Sequence, residues 1–527
     1  MTPEQASAAH WDVIVIGTGI GGGMAARRMA ERGLKVLVLE QGPKGYRREE
    51  TALASEVFDP VARQLRGFWP SPIKARVNGR DSTFFGPIGG GVGGSSVFYA
   101  ATLERPEPHD LDHSPDRPHP TGGWPVSYSE MQPYLDQAEV AFHLQGEQDP
   151  LAQHPSLLQA PPELAAADQA MKARLKAKGL NPYHLHSAVK HLAGCKQCLG
   201  FKCPRSCKMD GRSAGVEPAM KAGAELLDRC AVRRLLAEDG KVRVIEAERD
   251  GTTLQFTAEK VVLAAGAFGS PRLLLHSTDP AHPNGLANSN DQVGRFLMFH
   301  LNEMIAVWPG QHIAAKGISK ALGFRDLYHR EGERLGMVQA MGIEVGYGEI
   351  LHYLRQLLAR SRLRHLKPLK ELARIPALIA AKLFGKAQVY VGLMEDLPYA
   401  QNRVLKGDDP DQIRLSYEFS PELLNRRRTF RRLIRKAFKG NRRMFLGQGV
   451  ELNFGHPCGT LRFGANPEAS VLDSNCRAHE VENLYVADAS VFPTSMGVNP
   501  SLTIAALALR VGDHIADQHE RSRDGQK

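Results

Sequence analysis

The 527-residue chain lacks an uninterrupted apolar run of about 18 residues, the minimum for a helix that spans a membrane. The best candidate, 375–384, is too short and is interrupted by Lys382. The first twelve residues have neither a basic start nor an apolar stretch, so we expect no signal peptide. These absences predict a cytoplasmic protein, with peripheral contact as its only route to a membrane.

Cysteine is also scarce, with seven residues in the whole chain. A disulfide framework is therefore not expected in a protein of this length. The remaining composition is that of an ordinary globular protein, with 42% hydrophobic and 24% charged residues. The length is sufficient for two domains that each bury their own core.

The segment 11–42 has the pattern of a strand, a glycine turn, a helix and a second strand. Its first strand, DVIVIG, is a continuous apolar run typical of a buried parallel strand. Gly17, Gly19 and Gly22 have the GxGxxG spacing, and Glu40 ends the second strand, where it can bind ribose hydroxyls. This context predicts dinucleotide binding by FAD or NAD. The alternative is a glycine-rich turn without a ligand.

Two further stretches carry chemistry. FFGPIGGGVGGSSVFYAATLERP, over 84–106, is too rich in glycine for a regular helix or strand and predicts backbone amides exposed to a planar or charged ligand. The C-terminal segment 453–515 contains NFGHPCGT, NLYVADASVFP and SMGVNPSLTIAALALRVGDHI, with His456 and Asn499 at the ends of predicted elements. Two neutral hydrogen-bonding side chains suit a hydroxyl that loses a proton while its carbon loses a hydride.

These phrases resemble the signatures of the glucose-methanol-choline (GMC) oxidoreductases, a family of flavoenzymes that oxidise alcohols. The resemblance covers 12–514. It implies an α/β fold, α+β overall, in which a discontinuous Rossmann-like FAD-binding domain carries a substrate-binding cap with an antiparallel sheet and helices. The implied FAD-binding domain comprises 1–50, 80–125, 208–300 and 445–527. The implied cap comprises 51–79, 126–207 and 301–444.

By the same resemblance, His456 is the catalytic base and Asn499 its hydrogen-bond partner. The implied cofactor is FAD, held non-covalently because no histidine lies in 84–106. The implied FAD contacts are Gly17, Gly19, Gly22, Glu40, Gly91, Gly93, Gly94, Ser95, Ser96, Val232, Gly266, Asp488, Ala489 and Pro500.

The expected reaction is oxidation of a CH–OH group to a carbonyl by hydride transfer to flavin N5, with electrons passed to an acceptor other than oxygen. One alternative is an alcohol or sterol oxidase that reduces oxygen. Another is a flavin-binding protein that associates with a membrane or a partner and has little catalytic activity.

Four of the seven cysteines, Cys195, Cys198, Cys203 and Cys207, lie in CKQCLGFKCPRSC. Their spacing is compatible with an iron–sulfur cluster, with a zinc site, or with structural thiols. Cys203 and Cys207 resemble the closing pair of the cluster-binding loop in some GMC dehydrogenases. Cys195 and Cys198 depart from the spacing of the first ligand in that loop, so the three hypotheses stay open.

Two basic stretches lie in the expected cap. The segment 351–388 has nine Lys or Arg against one Glu, and 425–443 has ten against none. Leucines of the first stretch recur at helical spacing: Leu351, Leu354, Leu358, Leu366, Leu369 and Leu372. This predicts amphipathic helices with basic faces that bind anionic lipid or an acidic partner, or that are simply solvated. No nucleic-acid motif accompanies the charge, so nucleic acid is not an expected partner.

Several classes of alcohol fit the sequence as substrate. An apolar, basic cap favours a sterol or a long-chain alcohol, whereas VFYAA and the cysteine loop resemble sugar and sugar-acid dehydrogenases. The expected electron acceptor is a carrier protein or a quinone. Glu395, on a predicted cap strand, is a further candidate for a polar group near the substrate.

Overall fold

The computed structural model describes residues 1–45, 59–205, 207–310, 317–318, 320–342, 350–351, 354–355, 358, 366–384 and 387–524. The helices are α1 (Pro3–Ala8), α2 (Ile20–Glu31), α3 (Pro60–Arg66), α4 (Pro108–Leu111), α5 (Tyr128–Ala141), α6 (Ala166–Lys176), α7 (Glu217–Lys221), α8 (Gly266–His276), α9 (Lys367–Leu372), α10 (Arg374–Phe384), α11 (Pro421–Ala437) and α12 (Ser501–Asp524). Among these described residues, no helix is long and apolar enough to cross a membrane.

The strands form three larger sheets and one short ribbon. They are β1 (His10–Ile16), β2 (Val36–Leu39), β3 (Ile73–Val77), β4 (Arg80–Phe84), β5 (Tyr183–His184), β6 (Glu225–Leu227), β7 (Cys230–Glu238), β8 (Lys241–Arg249), β9 (Thr252–Leu263), β10 (His300–Trp308), β11 (Leu322–Phe324), β12 (His329–Arg330), β13 (Glu333–Arg334), β14 (Gly336–Ala340), β15 (Gln388–Glu395), β16 (Arg403–Leu405), β17 (Arg414–Tyr417), β18 (Arg442–Phe445) and β19 (Leu484–Val486).

The first sheet contains the predicted nucleotide-binding unit. Strands β6, β2, β1, β9 and β19 pair in that order, and every pair is parallel. The first half of β9 pairs instead with β8, which pairs with β7, as an antiparallel extension of the sheet. The middle of β1 is fully buried, as expected for an apolar strand of a parallel sheet, and α2 packs against α12. The strand–turn–helix–strand prediction for 11–42 is confirmed.

The second sheet is antiparallel throughout. Its strand order is β18, β10, β15, β14, β11 and β5. Helix α11 packs on it where β15 has Gly392, since a Cβ atom there would lie 2.5 Å from Ile434 Cδ1 and 2.6 Å from Phe430 Cε1. The third sheet has the order β16, β17, β3 and β4. The predicted fold class, a Rossmann-like domain with an antiparallel cap sheet, is confirmed.

Two of the predicted segment boundaries do not coincide with structural units. The boundary between 79 and 80 separates β3 from β4, although the two strands pair as a hairpin. Helix α5 belongs to the predicted cap segment 126–207, yet it packs against α12 beside the first sheet. Residues 51–58 lie outside the described residues, and so do four residues of the predicted leucine helix over 351–358, at positions 352, 353, 356 and 357.

Candidate active site

A cavity of about 700 Å³ lies at the carboxyl ends of β1 and β2, where the Rossmann pattern places a ligand. Chain segments from the start, middle and end of the sequence form its wall. Among the residues predicted to bind cofactor, those that line it are Gly17, Gly19, Glu40, Gly91, Gly94, Ser95, Ser96, Val232, Gly266, Asp488, Ala489 and Pro500. Gly22 and Gly93 do not line the cavity.

The three glycines of the GxGxxG turn have different surroundings. Gly17 has a φ of 105°, and a Cβ atom on it would lie 2.4 Å from Ala264 O. A Cβ atom on Gly22 would lie 2.0 Å from Gly17 O, so packing of α2 on β1 excludes a side chain there. Gly19 has no heavy atom within 4 Å of such a Cβ position. Packing within the protein therefore requires glycine at positions 17 and 22. At position 19, a ligand that contacts the backbone in the cavity accounts for the glycine.

Thr18 connects this turn to the second glycine segment and to Glu40. Its hydroxyl donates to the Glu40 carboxylate, and its Oγ1 accepts a hydrogen bond from Gly93 N at 3.1 Å. Glu40 Oε1 also accepts from Gly42 N at 2.9 Å. Burial raises the pKa of Glu40, although these hydrogen bonds oppose the shift. The two glycine-rich segments thus line the same cavity, and the Glu40 carboxyl group between them suits ribose hydroxyls.

Asp488 lies on the cavity and joins two chain segments. One of its oxygens accepts from Gly266 N at 2.8 Å and from the Ser270 hydroxyl at 2.5 Å. The other accepts from Ser490 N at 2.8 Å. Asp488 therefore fixes the start of α8 against the segment that follows β19, and it shapes the cavity through these bonds.

His456 lines the cavity and is partly exposed to it. Its Nδ1 lies 3.0 Å from His300 Nδ1 and 3.2 Å from Asn453 Nδ2. Asn453 Oδ1 accepts from Gly455 N at 3.0 Å, which orients the amide so that its nitrogen faces the ring. Burial holds the pKa of His456 well below its ordinary value, and the positive charges that His300 and Lys320 can carry act in the same direction. The imidazole is therefore neutral at pH 7.

His300 fixes which nitrogen of His456 carries the hydrogen. His300 Nε2 lies 2.9 Å from Met496 O, and a carbonyl can only accept, so this nitrogen is the donor. Burial lowers the pKa of His300 to about 4, so the ring is neutral and its Nδ1 is an acceptor. His456 Nδ1 then donates to His300, and Asn453 Nδ2, which can only donate, makes no hydrogen bond to the protonated Nδ1. This leaves a lone pair on His456 Nε2, the form that a general base requires.

Asn499 stands next to the cavity, since Pro500 lines it and Asn499 itself does not. The side chain is 5% exposed, and within the described part of the chain its Oδ1 has no hydrogen-bond partner. An unpartnered buried amide oxygen is costly unless a ligand satisfies it. The Met496 carbonyl that accepts from His300 lies three residues earlier, so His300 connects the HPCG and GVNP segments.

The cysteine loop is attached to the glycine loop by Lys208. This lysine is fully buried, and burial lowers its pKa to about 8. Its Nζ donates to the carbonyls of Val97 and Tyr99 at 3.0 and 3.2 Å. It also donates to those of Cys198 and Phe201 at 2.7 and 2.8 Å. One ammonium group therefore holds the two loops together.

None of the four cysteines of this loop forms a disulfide within the described residues. Cys203 Sγ accepts from Cys207 N at 3.2 Å and from Lys208 N at 3.5 Å. Burial raises the pKa of Cys203, but these backbone donors outweigh it and the net pKa is lowered. Thiolates on one zinc ion lie about 3.8 Å apart, given Zn–S bonds of about 2.3 Å. Within the described ranges no three of these thiols lie mutually within 4.8 Å, so they form no zinc-type set.

Glu395 has a structural partner. Its carboxylate accepts from Arg334 Nε at 2.8 Å and from Arg334 Nη2 at 3.2 Å, and it is fully buried. It does not line the cavity. Glu395 therefore forms an ion pair with Arg334 between β15 and β13, and the structure does not place it as a polar group facing the substrate.

The chain is similar to known proteins over nearly its whole length. Sequence profiles described as GMC oxidoreductase match residues 12–302 and 400–508. The chain is 29% identical to 2-methyl-1,2-propanediol dehydrogenase of Mycolicibacterium austroafricanum over 97% of this chain and 96% of that protein. It is 27% identical to the fructose dehydrogenase large subunit of Gluconobacter japonicus over 98% of this chain and 99% of that protein. The fold is similar to that of a pyridoxine 4-oxidase structure from Mesorbium loti, with a TM-score of 0.61 and 19% identity. The similarity covers 96% of this chain and 99% of that chain.

The contrast between Gly19 and Gly22 can be tested by alanine substitution. We expect Gly19→Ala to leave the thermal midpoint of the cofactor-free protein unchanged, because its Cβ enters empty space. It should weaken dinucleotide binding at least about tenfold, since the methyl group occupies the place of close backbone contact. Titration of cofactor-free protein measures this.

Gly22→Ala is the matched control for that variant. Its Cβ meets the Gly17 carbonyl, so it should lower the thermal midpoint or the soluble yield of the protein itself. Full cofactor affinity in Gly19→Ala would contradict the assignment of the cavity.

Proposed function

Because the chain belongs to the GMC oxidoreductase family, we propose that it is an FAD-dependent enzyme that oxidises the CH–OH group of an alcohol to a carbonyl. The family membership makes it an oxidoreductase of alcohol or sugar donors. The observation that carries the finer proposal is the contact of His456, which lines the cavity, with His300 Nδ1 at 3.0 Å, from which we infer the lone pair on His456 Nε2.

The residues of the cavity fit FAD. The backbone at Gly17 and Gly19 would hold the pyrophosphate, and Glu40 would hold the ribose hydroxyls. The loop around Gly91 and Ser95 would lie against the flavin ring. When bound, FAD supplies the hydride acceptor, flavin N5.

The side chains of this protein handle the proton. His456 Nε2 accepts the hydroxyl proton of the alcohol as its carbon–hydrogen bond breaks. We assign the Asn499 amide, which lies next to the cavity and not on its wall, as the second hydrogen-bond partner of the alcohol oxygen, where its N–H would stabilise the negative charge that develops. Both groups are neutral, so the alcohol enters the site without meeting a fixed charge from either.

We also propose that the electrons leave to an acceptor other than oxygen. Two relatives, the propanediol dehydrogenase and the fructose dehydrogenase large subunit, are named as dehydrogenases, which supports this and favours a polyol or sugar as substrate. The iron–sulfur hypothesis belongs to this part of the proposal. A cluster on the cysteine loop would lie beside the glycine loop, to which Lys208 holds it.

Replacing His456 tests the base. We expect His456→Ala to slow anaerobic reduction of the bound flavin by substrate about 10²- to 10⁴-fold, measured by stopped-flow absorbance. His10→Ala is the control, because His10 begins β1 and the cavity lies at the opposite end of that strand. In the unmodified enzyme the rate should stay level as the pH falls from about 8 to 6, since the lowered pKa of His456 keeps it neutral. Unchanged reduction in His456→Ala would refute the assignment.

His300 is a positioning residue, and its role is tested by rescue. His300→Leu removes the acceptor for His456 Nδ1–H, so the hydrogen can move to Nε2 and block the base. We expect kcat to fall at least about tenfold with little change in KM. His300→Asn keeps an oxygen acceptor and should recover part of the loss. Equal rates in the two variants would show that volume, and not the hydrogen bond, matters at this position.

The electron acceptor is tested by turnover and spectroscopy. With the holoenzyme we expect reduction of an artificial electron acceptor and little consumption of oxygen. An iron signal in the electron paramagnetic resonance spectrum would assign a cluster to the four cysteines. Its absence both before and after chemical reduction, in protein purified anaerobically with bound flavin, would make them free thiols. Rapid oxygen consumption would favour the oxidase alternative.

A further inference from the structure

Helix α10 presents a row of large aliphatic side chains to solvent. Ile375, Leu378, Ile379 and Leu383 are 60%, 53%, 56% and 52% exposed, and Leu372, just before the helix, is 54% exposed. Their spacing of three or four residues puts them along one face. A contiguous apolar surface of this kind usually marks an interaction site.

The opposite face of this helix is the one that packs on the protein. Ala373 and Ala377 are 5% and 0% exposed. The Trp308 indole on β10 donates to Leu383 O at 3.2 Å, which connects the end of the helix to the second sheet. The helix is therefore anchored by small residues, and its large side chains have no cover among the described residues.

The charge of the segment that contains this helix is positive. The segment 366–384 contains Lys367, Lys370, Arg374 and Lys382 against Glu371. Glu371 is already paired, with Arg355 at 3.0 Å and with Arg374 at 2.6 Å. Lys382 is exposed and lies three and four residues after Ile379 and Leu378, beside the aliphatic row. No acidic group in this segment is left to offset it.

The other basic helix, α11, has no such surface. Its apolar side chains Phe430 and Ile434 are fully buried against the second sheet. Arg427 and Arg431 both donate to the carboxylate of buried Glu303. The charge of α11 is thus partly used inside the protein, whereas α10 combines exposed aliphatic side chains with exposed positive charge.

We propose that α10 docks on an anionic phospholipid bilayer, with its aliphatic row in the interfacial region and Lys382 at the headgroup phosphates. The row lacks the Tyr, Trp and Arg anchors that dominate protein interfaces, and its purely aliphatic side chains match acyl chains. Positive charge at its flank attracts anionic headgroups. This inference concerns attachment only and is independent of the oxidation chemistry.

Vesicle co-sedimentation of the full-length holoenzyme tests the proposal. Vesicles of phosphatidylcholine with phosphatidylglycerol should bind the protein, and vesicles of phosphatidylcholine alone should bind it more weakly. The triple variant Ile375→Ser, Leu378→Ser, Ile379→Ser should partition at least about tenfold less. The triple variant Val140→Ser, Leu151→Ser, Leu157→Ser is the matched control, because these side chains are equally exposed elsewhere, at 58%, 45% and 51%. It should bind like the unmodified protein.

A second variant tests the proposal even if the α10 triple variant misfolds. Lys382→Glu keeps the aliphatic row and should lower binding to anionic vesicles while leaving binding to neutral vesicles unchanged. The proposal is overturned if the unmodified protein does not bind anionic vesicles, or if the α10 triple variant binds as well as the control. Self-association without lipid that the α10 triple variant abolishes would also overturn it, and would assign the face to a second copy of the chain.

Discussion

The hydrogen bond between His300 and the Met496 carbonyl is the constraint on which the candidate active site depends. A carbonyl cannot donate, and a ring this deeply buried does not hold a second proton, so one bond determines the hydrogen positions on two imidazoles. This arrangement determines the state of His456 Nε2, which has no hydrogen bond of its own within the part of the chain that the structure describes. A base is thus prepared by a residue that never needs to touch the substrate.

His300 also joins two chain segments that are distant in the sequence. His456 and Asn499 lie in segments that meet only if the chain between them, which includes β19, enters the first sheet in register. His300 begins β10 of the second sheet and contacts both segments. It therefore ties the two sheets together at the cavity. Thr18 has the corresponding role on the cofactor side, where it joins the GxGxxG turn to the second glycine segment.

Local sequence was sufficient to predict the first sheet and the position of the cavity. The GxGxxG turn works through contacts between near neighbours in the chain, such as Gly22 against Gly17, and so its pattern is readable. His300 carried no such signal, because its partner is 156 residues away. The ion pair of Glu395 could not be predicted for the same reason, because its partner Arg334 is 61 residues away. The sequence next to a strand carboxylate does not show whether it is buried. Contacts of this range are visible only in the folded chain.

Charge patterns were informative only together with packing. Both basic stretches read alike in the sequence, yet a single buried carboxylate, Glu303, turns two arginines of α11 into internal partners. Removing Glu303 from water is costly, and the paired guanidinium groups offset that cost, so those charges are no longer free to bind lipid. Helix α10 has no equivalent among the described residues, since Glu371, in the preceding helix α9, is exposed. Whether a basic amphipathic helix is a surface for binding is therefore decided by where its apolar face lies, and by the acidic groups that its own fold supplies.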